Sequence, residues 1–195
     1  MLKIIVYFFR ALTINFIYFF YLKGGNLRKR VLLQILLPLL LLIASPALAN
    51  FEVNLNKGIA LYLEKNYSES IVYLEKAVLE NPESPVANQL LGLSNYQVGN
   101  YQLSADYLEK AKELDPENKD INLELGNSYL QLNRYDEAEK ELSQYVSSNP
   151  KSGIGQYYLG YAQLLNGNYE QSIESLNNAN NLNPELNLQS IDCEI

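Results

Sequence analysis

Residues 85–116 read PVANQLLGLSNYQVGNYQLSADYLEKAKELDP, and the same pattern recurs 34 residues before and after this stretch. Four residue types keep their places in all four copies. They are Gly58, Gly92, Gly126 and Gly160; Tyr67, Tyr101, Tyr135 and Tyr169; Leu74, Leu108, Leu142 and Leu176; and Pro82, Pro116, Pro150 and Pro184. A fixed period of this length indicates a repeat protein, in which each unit buries its apolar face against its neighbours.

Each unit is predicted to contain two helices. Apolar residues such as Leu91 and Leu93 recur near the 3.6-residue period of an amphipathic helix. Gly99 follows this helix, where a left-handed residue ends a helix at little cost, and Gly167 and Asn133 suit the equivalent places. Ser84 before Pro85 is predicted to cap a helix start. First helices are expected near 51–64, 85–98, 119–132 and 153–166, and second helices near 68–81, 102–115, 136–149 and 170–183.

These residues resemble the tetratricopeptide repeat. The Leu-Gly pair of that family is present as Leu91-Gly92, Leu125-Gly126 and Leu159-Gly160. The small residue of the second helix is Ser70, Ser104, Ala138 or Ser172, and the next small position holds Ala77, Ala111 and Ala179, with Tyr145 as the exception. The Trp position of the family carries Asn54, Asn88, Asn122 and Gln156 instead. The resemblance covers residues 51–186 and implies an all-α fold, a right-handed α-solenoid of antiparallel helix pairs.

The resemblance also implies a binding surface. In the family, the first helix of each unit lines a concave groove, mainly through its second, fifth, ninth and twelfth positions. The fifth, ninth and twelfth positions here are Leu55, Ile59, Tyr62, Gln89, Leu93, Tyr96, Leu123, Asn127, Leu130, Tyr157, Tyr161 and Leu164. Tyrosine provides amphipathic contact area at low entropic cost, which suits recognition of a protein or peptide. The alternative for each side chain is that it only packs against the neighbouring unit.

One function of the family is not expected. Members that bind chaperone tails hold a C-terminal carboxylate with Lys and Asn side chains in the groove. The corresponding residues of the first unit, Leu55 and Ile59, are apolar, and Asp120 and Glu124 in the third unit would repel a carboxylate.

The segment 27–49 is predicted to be a secretory signal peptide. Arg28 and its basic neighbours precede the apolar run Val31–Ile43, and Ala47 and Ala49 form a small-x-small cleavage site. The alternative is an uncleaved membrane anchor formed by residues 31–49, although that stretch is marginal in length and contains two prolines. Residues 1–26 are apolar and aromatic; they are interpreted as the product of a mis-assigned start, or alternatively as a first membrane segment.

Composition and charge exclude several functions. Residues 50–195 hold all 22 acidic residues and nine of the 15 basic ones, a net charge of −13, so no nucleic-acid partner is expected. The chain has no histidine, and Cys193 is its only cysteine, which removes the usual catalytic pairs and imidazole metal ligands. Acidic pairs such as Glu139/Glu141 are interpreted as solvated charge. We therefore expect no catalytic residue, no metal site, no cofactor and no enzymatic activity; converging carboxylates in an apolar pocket would revive a hydrolase.

Together these features predict an exported scaffold, periplasmic or extracellular, that binds a protein or peptide partner in its groove. The alternative is a membrane-tethered assembly factor of an envelope, secretion or pilus complex. The acidic repeats favour a partner that is basic outside an apolar centre, and membrane contact is expected only through the N-terminal segment. The four units, 51–84, 85–118, 119–152 and 153–186, are followed by a short tail, 187–195, so the C-terminal edge is a candidate surface for self-association.

Overall fold

The structure is a computed structural model that describes residues 50–184, and this range consists of eight helices joined by short connections. They are α1 (50–63), α2 (Tyr67–Glu80), α3 (Pro85–Gln97), α4 (Tyr101–Leu114), α5 (Asp120–Gln131), α6 (Tyr135–Ser148), α7 (Gly153–Leu165) and α8 (Tyr169–Leu182). None of the helices in this range is both long enough and apolar enough to cross a membrane. The predicted signal peptide and the tail 187–195 lie outside the described residues.

The helices form two layers. From α2 onward, each helix packs against the next one along the chain, and the first helices α3, α5 and α7 also pack against one another in sequence. The second helices within residues 50–184 do not approach one another to the same extent. The first helices therefore form the inner layer of the stack and the second helices form the outer layer. The expected right-handed α-solenoid of antiparallel helix pairs is confirmed.

The repeated glycines and leucines of the sequence face each other inside each unit. A Cβ atom added to Gly126 would lie 2.6 Å from Cγ of Leu142. Gly58, Gly92 and Gly160 leave equally little room, at 2.7 Å from Cγ of their own leucines. Only a glycine hydrogen fits beneath the leucine, which is why both residues recur at the same spacing.

Serines of the second helices fix the same contact with hydrogen bonds. Ser70 Oγ donates to the carbonyl oxygen of Gly58 at 2.8 Å, and Ser172 Oγ donates to that of Gly160 at 2.7 Å. All four residues are buried, so these bonds satisfy hydroxyl groups that would otherwise be costly to bury. In the first and fourth units, the small residue of the second helix thus both permits close packing and holds the two helices in register.

The turn inside each unit requires a left-handed backbone at one position. Gly99 and Gly167 have φ of 82° and Asn133 has φ of 57°, as expected. The first unit has Lys65 at this position, with φ of 60°. A side chain with a Cβ is strained in this conformation, and asparagine tolerates it better than lysine does, so the first turn is the least favourable of the four.

Two predicted helix boundaries depend on serine. Ser84 Oγ accepts a hydrogen bond from the Ala87 amide at 3.2 Å, with Pro85 in the first turn, which confirms the expected cap. Ser152 caps α7 in the same way, accepting from the Gly155 amide at 3.1 Å. The second helices begin one residue earlier than expected, because the repeated tyrosine is already helical.

Amides at the family's Trp position hydrogen-bond to the connection before their own helix or to the second helix of their own unit. Asn88 Nδ2 donates to the carbonyl oxygens of Ser84 at 2.8 Å and Pro82 at 3.1 Å. Asn122 Nδ2 donates to Oε1 of Gln144 at 2.8 Å. These amides hold connections and second helices by hydrogen bonds where an indole would hold them by packing.

Tyr145, the exception among the small residues, is accommodated by a change in the next unit. Its ring lies over Gly155, where an added Cβ would be 2.6 Å from Cε1. Other units have Ala87 and Ile121 at the position of Gly155. The large and the small residue have therefore exchanged places across the interface between the third and fourth units.

The expectation that Glu139 and Glu141 are solvated charge is wrong. Glu141 is only 7% exposed, and its Oε2 lies 2.5 Å from Nζ of Lys112 on the preceding second helix. Glu139 is partly buried and accepts hydrogen bonds from Asn166 at 2.9 Å and Asn168 at 2.7 Å. Stacking of the units places both carboxylates against a neighbour, which spacing within one helix cannot reveal.

Candidate functional site

The twelve residues predicted to line the groove all lie on the first helices. We call the surface that they form the inner surface. Ten of them are partly exposed. Leu130 is only 7% exposed and belongs to the apolar core, whereas Leu164 in the last unit is 44% exposed. The inner surface is therefore open to a partner along most of its length, and Leu130 contributes to it least.

Groups that are two units apart influence each other's ionisation along the inner surface. Burial raises the pKa of the Tyr62 hydroxyl, and the Tyr67 hydroxyl and the Glu124 carboxylate raise it further. Glu124 lies on α5, so this interaction passes over the intervening first helix α3. Tyr96 on α3 interacts in the same manner with Tyr158 on α7. The ionisable groups of alternate units therefore lie near enough on the inner surface to affect one another.

Three of the predicted tyrosines pack edge-to-face on a second tyrosine. Tyr62 packs on Tyr67 with ring centroids 5.4 Å apart and planes at 62°, and Tyr96 packs on Tyr101 at 5.4 Å and 64°. Tyr157 packs on its neighbour Tyr158 at 5.4 Å and 71°. Such pairs hold the rings in place before a partner arrives, which lowers the entropy lost on binding.

Tyr96 also carries a polar contact. Burial is the largest effect that raises the pKa of its hydroxyl, and the nearby Tyr158 and Tyr101 hydroxyls raise it further. A hydrogen bond with Gln131 lowers it. The apolar body of the ring is therefore fixed by Tyr101 and its polar tip by Gln131, in the middle of the inner surface.

Glu124 is mostly buried on the inner surface and is held by amides. Gln89 Nε2 donates to both carboxylate oxygens, at 2.9 Å to Oε1 and 2.8 Å to Oε2. Asn118 Nδ2 donates in turn to Gln89 Oε1 at 3.2 Å, which fixes the orientation of that amide. The pKa of Glu124 is raised to about 7, because the effect of burial, together with the negative charge of Asp120, outweighs the lowering by the Gln89 hydrogen bonds.

Asn127 lies one helical turn after Glu124 on α5. Its Oδ1 atom is buried and has no hydrogen-bond partner among the described residues. A buried acceptor without a donor costs free energy, so turning this amide toward a ligand donor would be stabilising.

These groups suit binding. The inner surface combines tyrosine rings, aliphatic side chains, amides and the carboxylate of Glu124, which together can hold an extended or helical peptide.

Within residues 50–184, no three acidic or cysteine side chains meet in a group that could hold a metal ion. Ala47 and Ala49, the predicted cleavage residues, lie outside the described residues.

The list of groove positions taken from the family omits three residues that the structure places on the inner surface. Glu124 and Tyr158 occupy the sixth position of their first helices, and Gln131 occupies the thirteenth. Positions six, nine and thirteen lie on one stripe of an α-helix, at spacings of three and four residues. Helical periodicity around Asn127 could therefore have identified them.

Sequence comparison matches the repeat region. Three profiles, each described as a tetratricopeptide repeat, match residues 55–119, 95–164 and 156–186. Together they span residues 55–186 without a gap. No curated protein sequence matches the chain.

The fold is similar to solved structures of MamA. The structure titled MamA 41-end from Desulfovibrio magneticus RS-1 is 22% identical, with a TM-score of 0.67 over 70% of this chain and 77% of that chain. MamA of MSR-1 is 27% identical, with a TM-score of 0.64 over 69% of this chain and 78% of that chain. MamA of AMB-1 is 26% identical, with a TM-score of 0.65 over 74% of this chain and 86% of that chain.

Proposed function

The chain belongs to the tetratricopeptide-repeat family, a family of protein-interaction scaffolds, and we propose that it is an exported scaffold that binds a protein or peptide partner on its inner surface. The observation that carries this proposal is the set of tyrosines that are partly exposed there and already held by neighbouring rings. Fixed aromatic side chains of this kind are typical anchors of protein interfaces.

The partner that fits best is basic outside an apolar centre. The repeats and tail carry a net charge of −13, and the inner surface itself is mostly aromatic and aliphatic. Long-range attraction would then raise the association rate, and the effect would fade with added salt, since the Debye length is about 8 Å at physiological ionic strength.

The proposed location outside the cytoplasm, periplasmic or extracellular, rests on the sequence of residues 27–49. Cleavage after Ala49 would release a chain that begins at Asn50. The measurement is the intact mass of the protein recovered from the exported fraction, with an Ala49→Leu variant as the blocked control. A mass that retains residues 27–49 would instead support the membrane-tethered assembly factor.

Partner binding is tested by removing two anchors from the inner surface. We expect Tyr96→Ala/Tyr161→Ala to abolish capture of partners from an envelope extract while the helical circular dichroism signal is retained. The matched control is Tyr73→Ala/Tyr107→Ala, which removes two partly exposed tyrosines from the outer helices α2 and α4. If the inner-surface variant still captures the same proteins, the C-terminal edge, where Tyr169 and Ile173 are each 63% exposed, becomes the better candidate.

A further inference from the structure

Glu124 is a positioned carboxylate that has no cationic partner within residues 50–184. Its hydrogen bonds come from a neutral amide, Gln89, which is itself oriented by Asn118. The three ion pairs of the described range involve other residues. A mostly buried carboxylate that is aimed by two amides but not neutralised is expensive to keep in a folded protein.

The groups facing Glu124 from the surrounding elements do not supply the missing charge. α1 contributes the Tyr62 hydroxyl, α3 contributes Gln89, and α5 itself contributes Asp120, which adds negative charge. Asn118 approaches from the connection before α5. The local field therefore favours the arrival of a positive charge and disfavours a carboxylate.

A purely structural role does not account for the carboxylate. If the contact served only to join the second and third units, a glutamine at position 124 would accept a hydrogen bond from Gln89 without burying a charge. Within the third unit, Asn122 and Gln144 make such a contact with two neutral amides. The contact between Gln89 and Glu124 instead places a carboxylate at a joint between units that faces the inner surface.

Asn127 supplies a second acceptor beside the carboxylate. Residues three apart on a helix lie on the same face, so Glu124 and Asn127 are neighbours along α5. The Oδ1 atom of Asn127 lacks a donor in the described residues. Lysine ammonium and arginine guanidinium groups carry several donors each, and hydrogen bonds from a charged donor to a carboxylate are stronger than neutral ones.

We propose that Glu124 and Asn127 form the receptor for one cationic side chain, a lysine or an arginine, of the protein segment that docks on the inner surface. The inference rests on the proposed function and adds to it the chemistry of one partner residue and the place where that residue inserts. Gln89 and Asn118 act as positioning residues, since they hold the carboxylate and do not themselves contact the cation.

The receptor is tested with small ions that carry the two cationic groups. The probes are butylguanidinium and butylammonium, with neutral butylurea as the isosteric control, at constant ionic strength. The readout is an NMR titration of the Glu124 carboxyl resonance in the purified protein, assigned with Glu124→Gln. Because the chain has no histidine, few other groups titrate near pH 7.

A cation that binds the ionised carboxylate must lower its pKa. We expect butylguanidinium or butylammonium to lower the pKa of Glu124 by at least about 0.5 unit at tens of millimolar, while butylurea leaves it unchanged. Asn127→Leu should weaken the effect several-fold. No lowering by either cation, or an equal response at the exposed carboxylate of Glu117, would overturn the proposal.

Partner capture separates this inference from the proposed function. The proposed function and the inference are both supported by two results together. Tyr96→Ala/Tyr161→Ala must lose capture, and Glu124→Gln must lose at least about tenfold in affinity near pH 8. Loss of capture only in the tyrosine variant leaves the proposed function standing and overturns the inference. Capture that survives the tyrosine change overturns the proposed function, even where the small cations bind at Glu124.

Discussion

At the scale of single residues, the left-handed turn position distinguishes the first unit from the others. Lys65 has φ of 60°, whereas glycine occupies the same position in the second and fourth units. A residue with a Cβ is strained by about 1–2 kcal/mol in this conformation, and glycine relieves that strain. Glycine also gives the unfolded chain more conformational entropy, which offsets part of the gain in stability. We expect Lys65→Gly to raise the free energy of unfolding by about 0.5–1 kcal/mol, measured by urea denaturation.

Two changes at the equivalent positions serve as controls for that prediction. Asn133→Gly should have a smaller effect, because asparagine tolerates the left-handed region better than lysine does. Gly99→Ala should be destabilising, since its φ is 82°. A Lys65→Gly variant that unfolds at lower urea concentration than the parent would contradict this account of the first turn.

Glu124 gives the stability of the protein a defined dependence on pH. Its pKa is about 7 in the folded protein against 4.5 for the free group, so the unfolded chain releases this proton first as the pH rises. The contribution of Glu124 to stability therefore falls between about pH 4.5 and pH 7 and is constant above that window. We expect Glu124→Gln to stabilise the protein by about 1–3 kcal/mol at pH 8 and by little at pH 4.

The measurement for Glu124 is the difference in unfolding free energy between variant and parent across the pH range. The contributions of the other carboxylates to the pH dependence cancel in this difference. Glu117→Gln, at an exposed site, is the matched control and should give a nearly constant difference. A Glu124→Gln difference that does not change between pH 4 and pH 8 would show that the carboxylate is not buried as described.

At the scale of helices, the contact between α6 and α7 depends on an exchange of large and small residues. Tyr145 lies over Gly155, and an added Cβ would be 2.6 Å from the ring. We expect Gly155→Ala to cost about 1–3 kcal/mol by overpacking and Tyr145→Ala to cost about 2–4 kcal/mol by leaving a cavity. The double variant restores the alanine pair formed by Ala77 and Ala87 between the first two units.

A double-mutant cycle in urea measures this coupling. Because alanine at position 155 is harmful only beneath the tyrosine ring, the double variant should lose less than the sum of the single losses, by at least about 1 kcal/mol. Losses that add within about 0.5 kcal/mol would mean that the two side chains do not share the interface.

At the scale of the whole molecule, the position of a unit in the stack decides how far a local defect spreads. Gly58 and Gly126 face their leucines at almost the same distance, so leucine at either position overpacks its own helix pair similarly, at about 1–3 kcal/mol. A defect in the first unit leaves three stacked units, whereas a defect in the third unit leaves no three intact units together.

We therefore expect Gly126→Leu to lower the urea midpoint more than Gly58→Leu and to broaden the transition. Amide hydrogen exchange distinguishes the two cases residue by residue. Exchange should accelerate throughout residues 50–184 in Gly126→Leu and mainly in α1 and α2 in Gly58→Leu. Equal effects of the two substitutions would argue that the array unfolds as one indivisible unit.

Most of the fold follows from the sequence, because its determinants are local and repeated. The helix pairs, the serine caps at Ser84 and Ser152, and the left-handed turns at Gly99 and Gly167 depend on residues within a few positions of each other. The recurrence of glycine and leucine at the same spacing marks both positions as structural, and the structure shows that they face each other. The tyrosines of the inner surface are likewise predictable from their position on the first helix.

The tertiary structure alone decided which residues meet between units. Gln89 and Glu124, Lys112 and Glu141, and Tyr145 and Gly155 each lie on different units, and each pair involves a residue that the repeat pattern does not mark. Their meeting depends on how far each unit is rotated and shifted relative to the previous one, which is set by the sum of many side-chain contacts. Spacing within one helix carries no information about that rotation, so the burial of Glu124 and Glu141 is a property of the stacked solenoid.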